Sequence, residues 1–215
     1  MSRARVAVVA VALLAALAGC TADERPGAEG SAAAGAPRVI PTGTCLPAPS
    51  PSASPSGDPG ASAYGVLDAP PAGDRRPLPD LALPCLDGSG TVELSWIGRP
   101  AVINLWASWC QPCLVELPAF QRYAERAAGQ ITVIGVDTAD IRDSGRETAH
   151  KLGLTFPNLY DSQSQLRDAL DGKPLPVTLF VDADGSIAHL YNGKALDEAT
   201  LDELVQQYLG VVVPE

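Results

Sequence analysis

The stretch AVINLWA, residues 101–107, is apolar throughout except for Asn104. Such a run is expected of a strand buried on both faces. Residues 131–136 read as a second buried strand. Between them Cys113, Leu114, Leu117, Phe120 and Ala124 fall at helical spacing, with Pro118 marking a kink. Ser144-Gly145-Arg146-Glu147 has capping-box form and opens a helix to about Leu152. Ser162-Gln163-Ser164-Gln165 repeats the signal for a helix ending near Gly172.

Residues 177–181 are a strand, Asp182-Ala183-Asp184-Gly185 a turn, and residues 186–191 the returning strand. Leu201, Leu204, Val205, Tyr208 and Leu209 give a last amphipathic helix, stopped by Gly210. Ahead of all these, Leu81-Ala82-Leu83 and Thr91-Val92-Glu93-Leu94 flank Asp87-Gly88-Ser89-Gly90 as a short hairpin. Strands alternating with helices imply an α/β fold with a mixed central sheet covered by helices on both faces and a hairpin at its N-terminal side. Residues 77–213 are enough chain for one such core.

The N-terminus is of another kind. Arg3 and Arg5 precede an apolar run over residues 6–17, and Ala18 and Gly19 lead into Cys20. That is the layout of a secretory signal, too short for a comfortable membrane span. Leu17-Ala18-Gly19-Cys20 resembles the bacterial lipobox, which implies cleavage after residue 19 and a lipid on the Cys20 thiol. Residues 20–76 are then a tether rich in Pro, Ala, Gly and Ser, including PAPSPSASPSGDPG at 47–60. Without residues 1–19 the chain carries 13 basic and 25 acidic side chains, a formal charge of −12. That balance argues against nucleic acid as a partner.

Of five cysteines, an acylated Cys20 leaves four, which suits an exported protein without an orphan thiol. Cys110 and Cys113 pair by proximity; a bridge between Cys45 and Cys85 would pin part of the N-terminal segment to the domain. Cys110 falls where a buried strand ends and a helix begins. Unpaired backbone N–H groups and the helix dipole stabilise a thiolate there. Cys113 lies one turn along, placed to resolve a mixed disulfide. Pro112 fits the first turn, where its missing N–H has no helical partner.

Other readings of this pair are weaker. Zinc needs about four ligands, and no second C-x-x-C or suitably spaced His follows. His150 and His189 are isolated surface or packing residues. A purely structural bridge over so short a loop gains little. Nothing singles out the base that a Cys–His–Asn hydrolase needs. A peroxidatic cysteine with the spacing P-x-x-x-[ST]-x-x-C is excluded by Ile103 and Ala107.

WASWCQPC after a buried strand, Glu116-Leu117-Pro118 soon after, and later PLPVTLFVDADG together resemble the TlpA/ResA branch of thioredoxin-like disulfide oxidoreductases. The resemblance spans residues 77–213 and implies a thioredoxin-like fold with Cys110 as nucleophile and Cys113 as resolving cysteine. It makes Pro176 the cis-proline packed on the redox disulfide and gives Leu175 a backbone for an incoming cysteine-containing segment. Glu116 would accept the Cys113 proton; the plainer reading is a glutamate on a helix surface. Asn104 departs from general thioredoxins, which carry a buried aspartate there. Trp109 is expected to touch substrate, whereas Trp106 is equally a core aromatic.

The function expected is thiol-disulfide exchange outside the cytoplasm by a lipid-anchored monomer needing neither metal nor organic cofactor. The resemblance favours a reductase of exported proteins, extending to apocytochrome c thiols, recharged by a membrane thiol-relay protein. The rivals are an oxidase or isomerase of exported proteins and, in another class, a peptide-binding or chaperone module without turnover.

Overall fold

In the computed structural model the described residues are 45–46, 75–97 and 100–214. The signal segment, Cys20 and nearly all of the expected tether lie outside them. The elements are β1 (Arg76–Pro77), β2 (Ala82–Pro84), β3 (Thr91–Glu93), a 3-10 turn (Leu94–Trp96), β4 (Ala101–Trp106), α1 (Gln111–Arg126), β5 (Thr132–Thr138), α2 (Arg142–Lys151), β6 (Asn158–Asp161), α3 (Gln165–Ala169), β7 (Val177–Val181), β8 (Ser186–Tyr191) and α4 (Glu198–Leu209).

Six strands form one mixed sheet in the order β1-β8-β7-β4-β5-β6, and β2 and β3 form a separate antiparallel pair. This is a thioredoxin-like α/β fold with a small hairpin near its start. The all-apolar character of β4 follows from its place. It runs parallel to β5 and antiparallel to β7, so all six of its residues are buried. Ala101, Ile103 and Leu105 join Ile134, Val136 and Leu179 on one face, where Leu166 of α3 and Leu83 and Val92 of the hairpin cover them. Val102 and Trp106 point the other way, against Leu117 and Phe120 of α1 and Leu201 and Val205 of α4. Burying each such large apolar side chain contributes roughly 1.5–3 kcal/mol.

Several elements differ from the reading of the sequence. α2 begins at Arg142, two residues before the capping-box serine, because Ile141 is its cap and the Asp140 carboxylate takes the Ile141 N–H. α3 is only five residues long; Ser164 caps it in a left-handed conformation with no side-chain bond. The Asp161 carboxylate accepts the Gln165 and Leu166 N–H groups instead. β6 is an additional parallel strand beside β5. β1 starts at Arg76, one residue before the expected start of the fold, and pairs with Ile187 and Ser186 of β8. Leu46 is buried in the hairpin-side core, next to a Cys45–Cys85 disulfide whose Cα atoms are 5.8 Å apart.

Candidate redox site

β4 ends at Trp106, and four residues later Cys110 caps α1 with an extended backbone (φ −87°, ψ 97°). The Cys113 N–H donates to Cys110 Sγ at 3.3 Å. A capping side chain that accepts a first-turn N–H is ordinarily Ser, Thr, Asp or Asn; here a sulfur does it. The same N–H groups and the helix dipole favour a thiolate on that atom. Cys110 and Cys113 are disulfide-bonded, with Cα atoms 5.3 Å apart. Cys113 is fully buried and Cys110 is 5% exposed, so of the two only Cys110 keeps any surface.

Glu116 follows Cys113 by one turn, and it is not a surface residue: it is 1% exposed. Its Oε1 accepts from Asn104 Nδ2 at 2.7 Å and its Oε2 from the Leu196 N–H at 2.9 Å. Burial pushes this carboxyl up to about 7, against the opposing pull of its two donors. A carboxyl poised there can take or give a proton near neutral pH. Asn104 Nδ2 also donates to Thr178 Oγ1 at 3.2 Å, tying β4 to β7 beneath the helix.

The Leu175–Pro176 peptide is cis. Leu175 packs against the apolar cluster that contains Cys110 and Cys113. Asn192 Nδ2 donates to both the Pro174 and Pro176 carbonyls, each at 2.7 Å. Trp106 is wholly buried, its indole N–H donating to Asn158 Oδ1 at 3.0 Å. Trp109 is 56% exposed, and its indole donates to the Ala139 carbonyl at 3.0 Å.

The structure thus brings Cys110, Cys113 and Glu116 together on the α1 side of the sheet, packs Leu175 against the clusters of both faces, and leaves Trp109 at the surface. Sequence reading missed Thr178, the Leu196 N–H, Asn192 and the 139–140 turn. Of these only the acids of Asp137-Thr138-Ala139-Asp140 gave any signal, as two carboxylates at a strand end. Cys45 and Cys85 sit apart, among Leu46, Leu83 and Leu159 on the other face of the sheet. His189 stacks on Tyr208 with centroids 3.9 Å apart. Among the described residues no three His, Cys, Asp or Glu side chains converge as metal ligands, and no helix is long and apolar enough to cross a membrane.

Comparison with known proteins agrees with this geometry. The model of the AhpC/TSA family matches residues 75–190. The thiol-disulfide oxidoreductase ResA of Geobacillus kaustophilus is 29% identical over 121 residues, covering 56% of this chain and 70% of ResA. The thiol:disulfide interchange protein DsbE of Pseudomonas fluorescens is 31% identical over 143 residues, covering 64% of this chain and 76% of DsbE. Among solved structures, a secreted Mycobacterium tuberculosis disulfide oxidoreductase homologous to E. coli DsbE superposes with a TM-score of 0.53 at 25% identity, over 59% of this chain and 94% of that one.

Proposed function

The chain belongs to the AhpC/TSA family and is a thiol-disulfide oxidoreductase, and from that premise we propose that it is a lipid-tethered reductase of exported proteins. The observation that carries the reading is the Cys110 sulfur at the N-terminus of α1, accepting the Cys113 N–H, with a buried carboxyl one turn beyond Cys113.

In the reduced protein the Cys110 thiolate attacks a substrate disulfide. A mixed disulfide forms and one substrate sulfur leaves as a thiolate, to be protonated. Cys113 then gives its proton to the Glu116 carboxylate and attacks Cys110 Sγ. The Cys110–substrate bond breaks, the second substrate thiolate leaves, and two electrons have passed from the cysteine pair to the substrate. Glu116 passes its proton on. Leu175 and Pro176 present backbone to the segment that carries the substrate cysteine, and Trp109 shields it.

The named relatives support an extracytoplasmic setting, since one is described as secreted. In this reading residues 1–19 are removed, Cys20 carries the lipid, residues 20–76 form the tether and residues 77–213 the catalytic domain. The Cys45–Cys85 bridge is structural. Apocytochrome c fits as a substrate because its haem-binding thiols must be reduced, and a membrane thiol-relay protein recharges the pair.

The deciding measurement is the reduction potential of the Cys110–Cys113 couple at pH 7. A value near thioredoxin's, about −270 mV, is expected, and one near about −120 mV makes the protein an oxidase. Cys113→Ala, which leaves mixed disulfides unresolved, captures the substrates. Cys20→Ala is expected to release the protein from the membrane fraction, and retention there counts against the lipid.

A further inference from the structure

Asp137 lies near the end of β5, the register partner of Trp106 on β4 and of Tyr160 on β6. Its side chain is fully buried, and neither carboxyl oxygen has a hydrogen-bond donor among the described residues. An ionised carboxylate in that position is unfavourable by several kcal/mol unless a proton or a cation answers it.

Three titratable or charged groups face it. The Asp140 carboxyl comes from the turn after β5. The Arg142 guanidinium comes from the first residue of α2, but it donates to the Cys85 carbonyl at 2.9 Å and lies over the Tyr160 ring at 4.4 Å. The Tyr160 hydroxyl comes from β6, and it donates to the Asp140 carbonyl at 2.9 Å. From α2, Gly145 brings its backbone against Asp137 so closely that a Cβ there would collide with Oδ2. Neither Arg142 nor Tyr160 is turned to Asp137 as a donor; the Asp140 carboxyl is what remains. Burial first, and then the Asp140 charge and a hydrogen bond with it, push the Asp137 carboxyl up to about 8.

Asp140 is tied directly to the redox loop. Its Oδ2 accepts the Ser108 N–H and its Oδ1 the Ile141 N–H at 2.7 Å. One residue before it, Ala139 sits in the left-handed region (φ 55°) and offers its carbonyl to the Trp109 indole at 3.0 Å. The segment immediately preceding Cys110 is therefore gripped by the turn that Asp140 organises.

We propose that Asp137 and Asp140 share one proton and act as a positioning pair for the redox loop. Asp137, protonated, donates to Asp140, and Asp140 holds the Ser108 N–H, which fixes the approach to Cys110. The inference rests on Cys110 being the attacking thiol. When the shared proton leaves, two like charges face each other in a buried site, and Asp140 is driven from its place against Ser108. The pair thus links pH to the placement of the thiol through a route separate from Glu116.

The test uses the full chain. The Asp137 carboxyl carbon is followed by NMR against pH in the wild type. It is expected to titrate far above the ordinary carboxylate range. In parallel, the rate of thiol-disulfide exchange at Cys110 is measured across pH in Asp137→Asn and Asp137→Ala. Asp137→Ala is expected to slow exchange at pH 7 by about tenfold through misplacement of the loop. Asp137→Asn, which keeps a donor to Asp140 but cannot ionise, is expected to restore most of that rate. The wild type is expected to lose rate above about pH 8, and Asp137→Asn to keep its rate there. Asp137 titrating below pH 5, or the two variants behaving alike, overturns the proposal. Should Asp137→Ala fail to fold, the wild-type carboxyl titration decides alone. If Cys110→Ser retains full exchange, the redox reading has failed, and the titration still reports whether the proton is shared.

Discussion

The two disulfides have nearly the same Cα–Cα span, 5.3 Å for Cys110–Cys113 and 5.8 Å for Cys45–Cys85, yet they stand in opposite environments. The first closes a loop three residues apart in sequence, at a helix N-terminus, with its Cys110 sulfur accepting an N–H and a buried carboxyl one turn further on. The second joins residues 40 apart on the far face of the sheet, with Cys85 fully buried among Leu46, Leu83 and Leu159. By loop-closure entropy alone the long link stabilises the fold by about 4 kcal/mol and the short one by about 2 kcal/mol. Nothing in the spans separates a staple from a redox centre. An N–H on sulfur does not separate them either, since Cys85 Sγ accepts the Cys45 N–H at 2.9 Å. What does, among the described residues, is the helix N-terminus at Cys110 and the buried Glu116 carboxyl, the proposed proton acceptor, one turn beyond Cys113.

The largest effect should come from the sulfur that the helix end activates. Cys110→Ser is expected to abolish exchange with a model protein disulfide while leaving the melting temperature within a few degrees. Retained activity breaks the contrast between the two bridges at once and favours a binding module. Replacing Cys45 and Cys85 together by Ser should do the reverse. Stability measured by urea unfolding is expected to fall by about 4 kcal/mol, with exchange at Cys110 within twofold of the wild type. Should exchange collapse in the folded double variant, the second bridge is no mere staple.

Glu116→Gln sharpens the contrast from the side of the proton acceptor. Resolution of the mixed disulfide by Cys113 is expected to slow by about 100-fold, the scale of a lost general base. In the wild type the resolution rate should climb as pH passes through about 7, where the carboxyl gives up its proton, and this inflection should vanish in the variant. The sign for stability is opposite. The folded carboxyl is raised from 4.5 to about 7, so its contribution is complete below pH 4.5 and is lost as pH rises through 7. That loss is about 3 kcal/mol, at about 1.4 kcal/mol for each pH unit of the shift. Urea midpoints of the oxidised wild type and Glu116→Gln across pH 4–8 measure it.

How much of this was legible in the sequence depended on how local each cause is. β4 and β7 could be read because their apolar runs are continuous, and β8 because the Asp182–Gly185 turn returns the chain. α4 could be read because its apolar residues fall at helical spacing and Gly210, with φ 66°, ends it as a left-handed C-cap. β6 could not. It is a four-residue edge strand in which only Leu159 and Asp161 are buried, too short for any period to show. The capping box at Ser144 misplaced the start of α2 because Asp140, outside the box, accepts the Ile141 N–H. In the site, the spacing of Cys110 and Cys113 declares itself. The environment of Glu116 does not, since its second donor is the N–H of Leu196, 80 residues away. The contact of Asp137 with Asp140 likewise requires the left-handed turn at Ala139, which no residue type there announces.

The smallest expected effect tests whether Asn104 tunes Glu116 rather than merely filling the space under α1. Its Nδ2 is one of two donors that pull the Glu116 carboxyl down against the effect of burial, and its Oδ1 is buried without a partner among the described residues. Asn104→Ala removes the donor and the orphaned acceptor together. The two consequences for folding oppose each other, so the net change in stability should be within about 1–2 kcal/mol. The carboxyl has no such compensation. Losing the 2.7 Å bond to Asn104 leaves the Leu196 N–H as its remaining donor, so the inflection in resolution rate should move above pH 7. Exchange at pH 7 then falls modestly while exchange at pH 9 matches the wild type. A uniform loss across pH would mean that Asn104 acts by packing, and would leave Leu196 as the tuning contact of Glu116.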